Sequence, residues 1–173
     1  MNSRSFSVFA VGCLLLVGAA LGADDIWSEV HADGETGISV ATQSTAVVVD
    51  IKVRKVQRAV SETDAVTMLA KDCLEERAPC SLVEQLRIKV DKNSLFVPRS
   101  AFRGLSNVRL AKLTSIRGGF ELTLRGGDGS EGYILKIVFD KSRVTSRILA
   151  SSLAPNDALE VTRYRKQNES FDR

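Results

Sequence analysis

The sequence predicts an α+β fold in which an antiparallel β-sheet of about five to seven strands, ordered as a meander, packs on one main α-helix. Three observations predict this class. Several short segments alternate apolar and polar residues, one segment (61–76) repeats apolar residues at helical spacing, and turn residues such as Arg-Gly-Gly separate the short segments. Helices do not alternate with the strands, so a parallel sheet of βαβ units is not expected.

The start of the chain resembles a secretory signal peptide in layout. Arg4 is the only charge before Asp24, and the apolar run Phe6–Leu21 ends in small residues. We therefore expect residues 1–22 to be removed and the protein to be exported, to the periplasm or the extracellular space. An uncleaved anchor is the alternative, but a membrane span needs about 20 apolar residues and this run is shorter. No stable membrane span is expected after cleavage.

Removal of residues 1–22 leaves about 150 residues, which suits a single domain. We expect an irregular lead-in over 23–45, a single α+β domain over 46–166 and a flexible tail over 167–173. Without Arg4, 23 basic residues face 21 acidic ones. This near balance predicts no general attraction to nucleic acid or to anionic membranes.

The predicted elements follow from periodicity and turn residues. Val47, Val49, Ile51 and Val53 alternate with polar residues, which predicts a strand over 46–56. Ser61 is placed to cap the predicted helix over 61–76. Beyond this helix we expect a short helical turn at 98–104 and strands over 86–90, 94–97, 108–116, 120–125, 132–139, 144–149 and 157–165.

Two cysteines remain after signal cleavage, Cys73 and Cys80, with six residues between them. In an exported chain this pair predicts one structural disulfide. The spacing differs from a Cys-x-x-Cys redox pair, and a zinc site would need two further ligands. No metal and no cofactor is expected.

Recognisable catalytic chemistry is absent from the sequence. The only histidine, His31, lies in the predicted lead-in, and no serine lies in a Gly-x-Ser-x-Gly elbow. We therefore predict that the protein is not an enzyme. A hydrolase built from distant carboxylates is the alternative, because two acids need only meet in space.

The glycine-rich segment 127–132 has the Gly-x-Gly-x-x-Gly spacing of dinucleotide-binding loops. That motif requires a helix to begin there, whereas the residues from Tyr133 to Phe139 alternate as a strand, so a hairpin loop is predicted. Calcium would need six to eight oxygens, more than Asp128 and Glu131 supply.

The five residues Gly129-Ser130-Glu131-Gly132-Tyr133 resemble the serine-containing loop that periplasmic lysozyme inhibitors project into the enzyme's cleft. The resemblance covers only this loop and identifies no family. It implies a binding loop, with Asp128, Ser130, Glu131 and Tyr133 as the candidate contact residues.

A basic stretch stands out in the charge pattern, because no acid occurs between Asp91 and Glu121. Arginine forks grip carboxylates well, so this stretch predicts a basic face toward an acidic protein or an acidic glycan. The alternative is a solvated surface balanced by acids from other segments. The candidate residues of the basic face are Arg99, Arg103, Arg109, Lys112 and Arg117.

The function predicted is that of an exported small binding protein that acts by protein–protein interaction on another exported or envelope protein. An inhibitor or immunity protein against a cell-envelope hydrolase is its most concrete form. The alternatives are an envelope accessory protein that binds acidic polysaccharide or another anion through the basic face, and an unrecognised hydrolase. Nucleic acid is not an expected partner, because aromatics are few and no reading helix is evident.

Overall fold

A computed structural model describes residues 26–56 and 80–165, and in these two ranges the chain is mostly β-structure. Two three-residue 3-10 turns, Arg99–Ala101 and Gly129–Glu131, are the helical segments found there. The strands are β1 (Ser28–Glu29), β2 (Gly34–Ala41), β3 (Ala46–Val56), β4 (Cys80–Val90), β5 (Asn93–Leu95), β6 (Leu110–Ile116), β7 (Gly119–Gly126), β8 (Tyr133–Phe139), β9 (Val144–Ser151) and β10 (Ala154–Arg163).

The predicted α+β class is wrong, because the described residues form two antiparallel sheets and contain no helix of seven or more residues. Within the described residues, the apolar faces of the two sheets pack in one shared cluster, and no helix of these residues covers them. The segment predicted to be that helix, 61–76, lies outside the described residues, as does Cys73. Cys80 is the one cysteine inside them, so they contain no disulfide of their own.

The ten strands are divided between a six-stranded sheet in the order β1-β6-β7-β8-β9-β10 and a four-stranded sheet in the order β2-β3-β4-β5. From β6 to β10 each strand pairs antiparallel with the next one in the chain. The predicted meander is therefore present, but as part of one sheet of two. Residues 96–109 carry the chain from β5 to β6.

The core forms where the inner faces of the two sheets meet. On β3 the side chains of Val47, Val49, Ile51 and Val53 are at most 2% exposed, as the alternation predicted. Phe120 and Phe139 stack with ring centroids 5.7 Å apart on the six-stranded sheet. All these residues belong to one large hydrophobic cluster, so the fold is a β-sandwich, with a small second cluster at Val56 and Cys80.

The lead-in predicted to be irregular contains β2, whose eight residues all pair with β3. Glycine and hydroxyl residues interrupt the apolar alternation of β2, so the sequence pattern does not indicate a strand. Thr36 points inward and is buried, and its Oγ1 accepts a hydrogen bond of 3.0 Å from the amide of His31. Because that bond satisfies the hydroxyl, a polar residue can occupy a core position of the strand.

Strand β4 begins six residues before the predicted start at 86. Lys52 of β3 pairs with Gln85 while the next residue, Val53, pairs with Val83, so Glu84 is an extra residue in β4. This β-bulge places Val83 and Leu86 on the same inner face although they are three positions apart. The alternation is broken at that point, which explains why the sequence pattern predicted only the second half of the strand.

A buried ion pair joins the last two strands. The Arg147 side chain is 4% exposed, and its Nη1 lies 2.6 Å from Oε1 of Glu160, which also accepts a 2.9 Å hydrogen bond from the Thr162 hydroxyl. The hydrogen bond from Arg147 lowers the pKa of Glu160. The register places the side chains of Arg147, Glu160 and Thr162 on the inner face of the sheet. An ion pair therefore lies at the edge of the core.

Replacing Glu160 with alanine leaves the Arg147 guanidinium buried without its partner. We expect Glu160→Ala to lower the free energy of unfolding at neutral pH by about 2 kcal/mol, near the low end for broken buried pairs because Glu160 is itself half exposed. Urea denaturation measures this loss. Since the pKa of Glu160 is lower in the folded state, the difference between parent and variant is fully present above about pH 4.5, its ordinary pKa. The difference disappears as the pH falls through the folded-state pKa.

Glu84→Ala is the matched control for this prediction. It removes a 2.8 Å ion pair to Lys52 in which both side chains are about half exposed. Exposed pairs contribute little, so the loss should be much smaller than for Glu160→Ala. Equal losses in the two variants would contradict a stabilising role for the buried pair.

Candidate anion-binding surface

The outer face of the six-stranded sheet carries several basic side chains. Directly opposite residues of antiparallel strands lie on the same face, so the register defines a row across five strands: Lys112, Thr123, Lys136, Ile148 and Val161. The neighbouring rows add Arg125 and Arg163. We call Lys112, Arg125, Lys136 and Arg163 the outer basic face.

Two acids share this side of the sheet, Glu29 and Glu121, yet neither forms an ion pair with another described residue. Glu121 accepts a 3.1 Å hydrogen bond from the Thr123 hydroxyl. Arg125, Lys136 and Arg163 likewise make no ion pair within the described ranges. No acid of the described ranges therefore pairs with these three cations.

The outer face of the four-stranded sheet is different, because three of its acids pair with two of its cations. Lys52 bonds to Glu84, which lowers the pKa of that carboxyl. Arg87 contacts the carboxylates of both Glu35 and Asp50. On the four-stranded sheet Arg54 and Lys89 also make no ion pair within the described ranges, but every acid named above has a basic partner there. On the six-stranded sheet neither the cations Arg125, Lys136 and Arg163 nor the two acids are paired within those ranges.

Trp27 lies at the β1 edge of the outer basic face. The Arg125 guanidinium carbon is 4.3 Å and the Lys112 ammonium nitrogen 5.1 Å from the centroid of its ring, within the range of cation–π contacts. Pairing of Ser28 with Ala111 brings Trp27 to this position. The aromatic ring holds two cations side by side at one end of the sheet.

Next to Arg125, a cleft of about 320 Å³ opens beside the glycine-rich loop 127–132, and we call it the first cleft. Arg109 lines it from the other side; its Nη2 donates to the Gly127 carbonyl at 2.6 Å and lies 3.5 Å from Oδ1 of Asp128. Leu110, Ile134 and Pro155 supply apolar walls. Asp128 is almost fully exposed and also caps the loop by accepting a 2.9 Å hydrogen bond from the Gly129 amide.

The predicted binding loop is only partly at the surface. Asp128, Ser130 and Glu131 are exposed, whereas Tyr133 is 4% exposed and its hydroxyl donates a 2.8 Å hydrogen bond to the carbonyl of Ser106. Tyr133 therefore anchors the loop to the connection between the sheets. The exposed contact residues of the loop are the other three.

The predicted basic face is divided among three places. Arg109 and Lys112 lie at the start of β6 and meet Arg125, as the first cleft and the Trp27 contacts show. Arg117 lies in the turn after β6, at the other end of the sheet. Arg99 and Arg103 lie in the connection between β5 and β6.

Sequence reasoning missed Arg125, Lys136 and Arg163 as candidate site residues. A signal for Arg125 was present in the two-residue turn at Arg117-Gly118. A tight hairpin there pairs 116 with 119, and counting outward places Arg125 opposite Leu110, next to Arg109. The positions of Lys136 and Arg163 depend on the register of several successive strand pairs, which cannot be read from the sequence.

The first cleft depends on a close contact between Gly126 and Tyr133. A Cβ at position 126 would collide with the Tyr133 hydroxyl and lie 2.9 Å from the Ser106 carbonyl. We expect Gly126→Ala to displace Tyr133 and to lower the free energy of unfolding by about 1–3 kcal/mol, the usual range for overpacking. Thermal and urea denaturation measure this effect.

Gly37→Ala is the control, because a Cβ at that extended position of β2 meets only Asp50 Oδ1, at 3.6 Å. Its stability should stay close to that of the parent. A Gly126→Ala variant as stable as Gly37→Ala would show that the contact does not fix the loop.

Two guanidinium groups line the first cleft, which suits it to binding a carboxylate, although Asp128 outside the lining already contacts Arg109. In the described part of the chain, no three His, Cys, Asp or Glu side chains are grouped so that they could hold a metal ion. No helix of the described ranges has the length and hydropathy needed to cross a membrane. Comparison of the chain with protein-family models, curated proteins and solved structures finds no match.

Proposed function

We propose that the mature chain is an exported binding protein that docks on an acidic surface of another protein through the first cleft and the outer basic face. The observation that carries this proposal is that Arg109 and Arg125 line one cleft, with Trp27 beside them and a single carboxylate, Asp128, close to Arg109. Export rests on the signal peptide expected over residues 1–22, which lie outside the described residues.

The chemistry of the first cleft favours a carboxylate. An arginine presents two parallel N–H groups that match the two oxygens of a carboxylate, and the cleft offers two such groups. Its apolar walls would contact the methylene groups of an acidic side chain. Arg and Trp are also the residue types that most often dominate binding energy at protein interfaces.

The outer basic face extends this contact area. Ile148 is half-buried and Val161 is 51% exposed in the row that contains Lys112 and Lys136. A partner that covers these positions would bury apolar surface at the centre and pair its acids with the surrounding cations, the usual arrangement of a protein interface.

An inhibitor or immunity protein against a cell-envelope hydrolase is the most concrete form of this function. Many glycosidases carry a pair of carboxylates in the active-site cleft. A surface that presents Arg109 and Arg125 together with the exposed loop residues Asp128, Ser130 and Glu131 has the charge and shape to approach such a cleft.

Acidic polysaccharide is a second candidate ligand, favoured by the spacing of cations across the sheet. Lys136 and Arg163 lie on strands separated by a single strand, β9, so those strands are about 10 Å apart. Repeated cations at such a spacing match a polyanion. Exposed charge contacts of this kind are screened by salt, whereas a protein interface with buried apolar contacts is less sensitive to it.

The test is capture of partners from cell-envelope and secreted extracts by the mature chain 23–173, followed by mass spectrometry. We expect the parent to capture one protein in stoichiometric amount. In Arg109→Glu/Arg125→Glu the affinity for that protein should fall at least about a hundredfold, because both guanidinium contacts become repulsive. Arg54→Glu/Lys89→Glu is the control: it makes the same change of net charge on the four-stranded sheet and should bind like the parent.

Equal capture by the parent and by both double variants would contradict a binding site at Arg109 and Arg125. Failure to capture a protein, together with salt-sensitive binding to acidic glycans that the first double variant loses, would favour the second candidate. Loss of binding in the control variant alone would move the interface to the four-stranded sheet and overturn the proposal.

A further inference from the structure

The structure points to a second anion-binding site, at the end of the six-stranded sheet opposite loop 127–132. A cleft of about 460 Å³, the second cleft, lies where the β8–β9 turn meets the end of β10. Three arginines line it, Arg143, Arg163 and Arg165. We propose that it binds a doubly charged tetrahedral oxyanion, such as phosphate or sulfate.

The strand register brings Arg163 and Arg165 to this place. Arg163 pairs with Ser146, which puts its side chain on the outer face. The next residue, Tyr164, points the opposite way: it packs on the core, its amide donates to the Thr145 carbonyl at 2.9 Å, and its hydroxyl lies 3.3 Å from Ser100 Oγ. Because side chains alternate along an extended chain, Arg165 returns to the side of Arg163.

The β8–β9 turn positions the third arginine. Asp140 Oδ1 accepts hydrogen bonds from the Ser142 amide and hydroxyl, both at 2.7 Å, and from the Arg143 amide at 3.0 Å. Burial raises the pKa of Asp140, but these hydrogen bonds outweigh it and the pKa lies below the ordinary value. Asp140 is therefore ionised near neutral pH, and its Oδ2 is 4.0 Å from Arg143 Nε.

The charge balance of the second cleft leaves room for a dianion. Three guanidinium groups and the one carboxylate of Asp140 leave two positive charges. Arg163 and Arg165 make no ion pair with any residue of the described ranges. Nη1 of Arg143 is buried and has no hydrogen-bond partner among those residues, a state that costs free energy in the absence of an acceptor. That buried atom is not accessible from solvent, so an oxyanion in the cleft would contact the guanidinium groups of Arg163 and Arg165, whose forks match its oxygens.

The second cleft is independent of the first. The two share no lining residue, and seven-residue strands such as β8 separate the two ends of the sheet by about 20 Å. Arg163 also belongs to the outer basic face, but the residues that test the protein-binding proposal, Arg109 and Arg125, do not line the second cleft. Failure of that proposal would therefore leave this inference standing.

The experiment is thermal unfolding of the mature chain 23–173 in increasing sodium phosphate, in sodium sulfate and in sodium chloride at matched ionic strength. Ligands that bind only the folded state raise the Tm, and above the Kd the rise continues with the logarithm of the ligand concentration. We expect phosphate and sulfate to do so beyond the effect of chloride, and isothermal titration with inorganic phosphate to show one site. Comparison of the phosphate and sulfate arms shows which oxyanion the site prefers.

Arg163→Gln/Arg165→Gln should lose the phosphate response, with at least about a tenfold fall in affinity, since each arginine supplies charge-assisted bonds. Arg109→Gln/Arg125→Gln should keep it. Arg163→Lys retains the charge but not the fork, so it should bind more weakly than the parent, and it serves as the test if the double variant fails to fold.

Three results would overturn the proposal. The first is an equal rise of Tm in chloride and phosphate at matched ionic strength. The second is an unchanged phosphate response in Arg163→Gln/Arg165→Gln or, where that variant does not fold, in Arg163→Lys. The third is loss of the response in Arg109→Gln/Arg125→Gln alone, which would place the anion in the first cleft.

Discussion

Burial of one face of each sheet against the other is the interaction on which the remaining structure depends. The inward row of β3, from Val47 to Val53, packs in one cluster with the inner faces of β7 and β8. Since successive side chains of a strand point to opposite faces, each inward residue fixes an outward neighbour. The position of every charge on the outer surfaces follows from this packing, so the surface that we propose for binding is set by the core.

The same constraint explains why the two outer faces differ. On the four-stranded sheet, the register sets Asp50 opposite Arg87, and the two side chains form an ion pair. On the six-stranded sheet, the cross-strand partners of Lys136 are a threonine and an isoleucine. Three features disfavour the pairing of edge strand β10 with other chains. They are Pro155, the bulge between Ala158 and Glu160 and the charge of Arg163. These features favour ligands that approach the face of the sheet over strands that add to its edge.

Strands whose pattern lies within one segment were predicted from the sequence. Features that depend on the pairing of two segments were not. Alternation in 46–56 identified β3 over its full length. It missed β2, because Thr36 replaces an apolar residue at a core position, and it missed the first half of β4, because the bulge at Glu84 breaks the period. For the candidate site, the run of bases in the sequence included Arg109 and Lys112, which the structure brings close to Arg125. Arg125 was absent from that run, although it completes the first cleft, since it arrives there through strand pairing.

Together the two clefts give the outer side of the six-stranded sheet an arginine-lined site at each end. The central claim is that anionic ligands bind this side and not the four-stranded sheet. The most direct measurement is a two-dimensional NMR titration of the mature chain with a short poly-glutamate peptide. The account predicts shifts at Arg109, Lys112 and Arg125 and none at Arg87 or Lys89. Shifts that map to the four-stranded sheet, or equally to both faces, would contradict it.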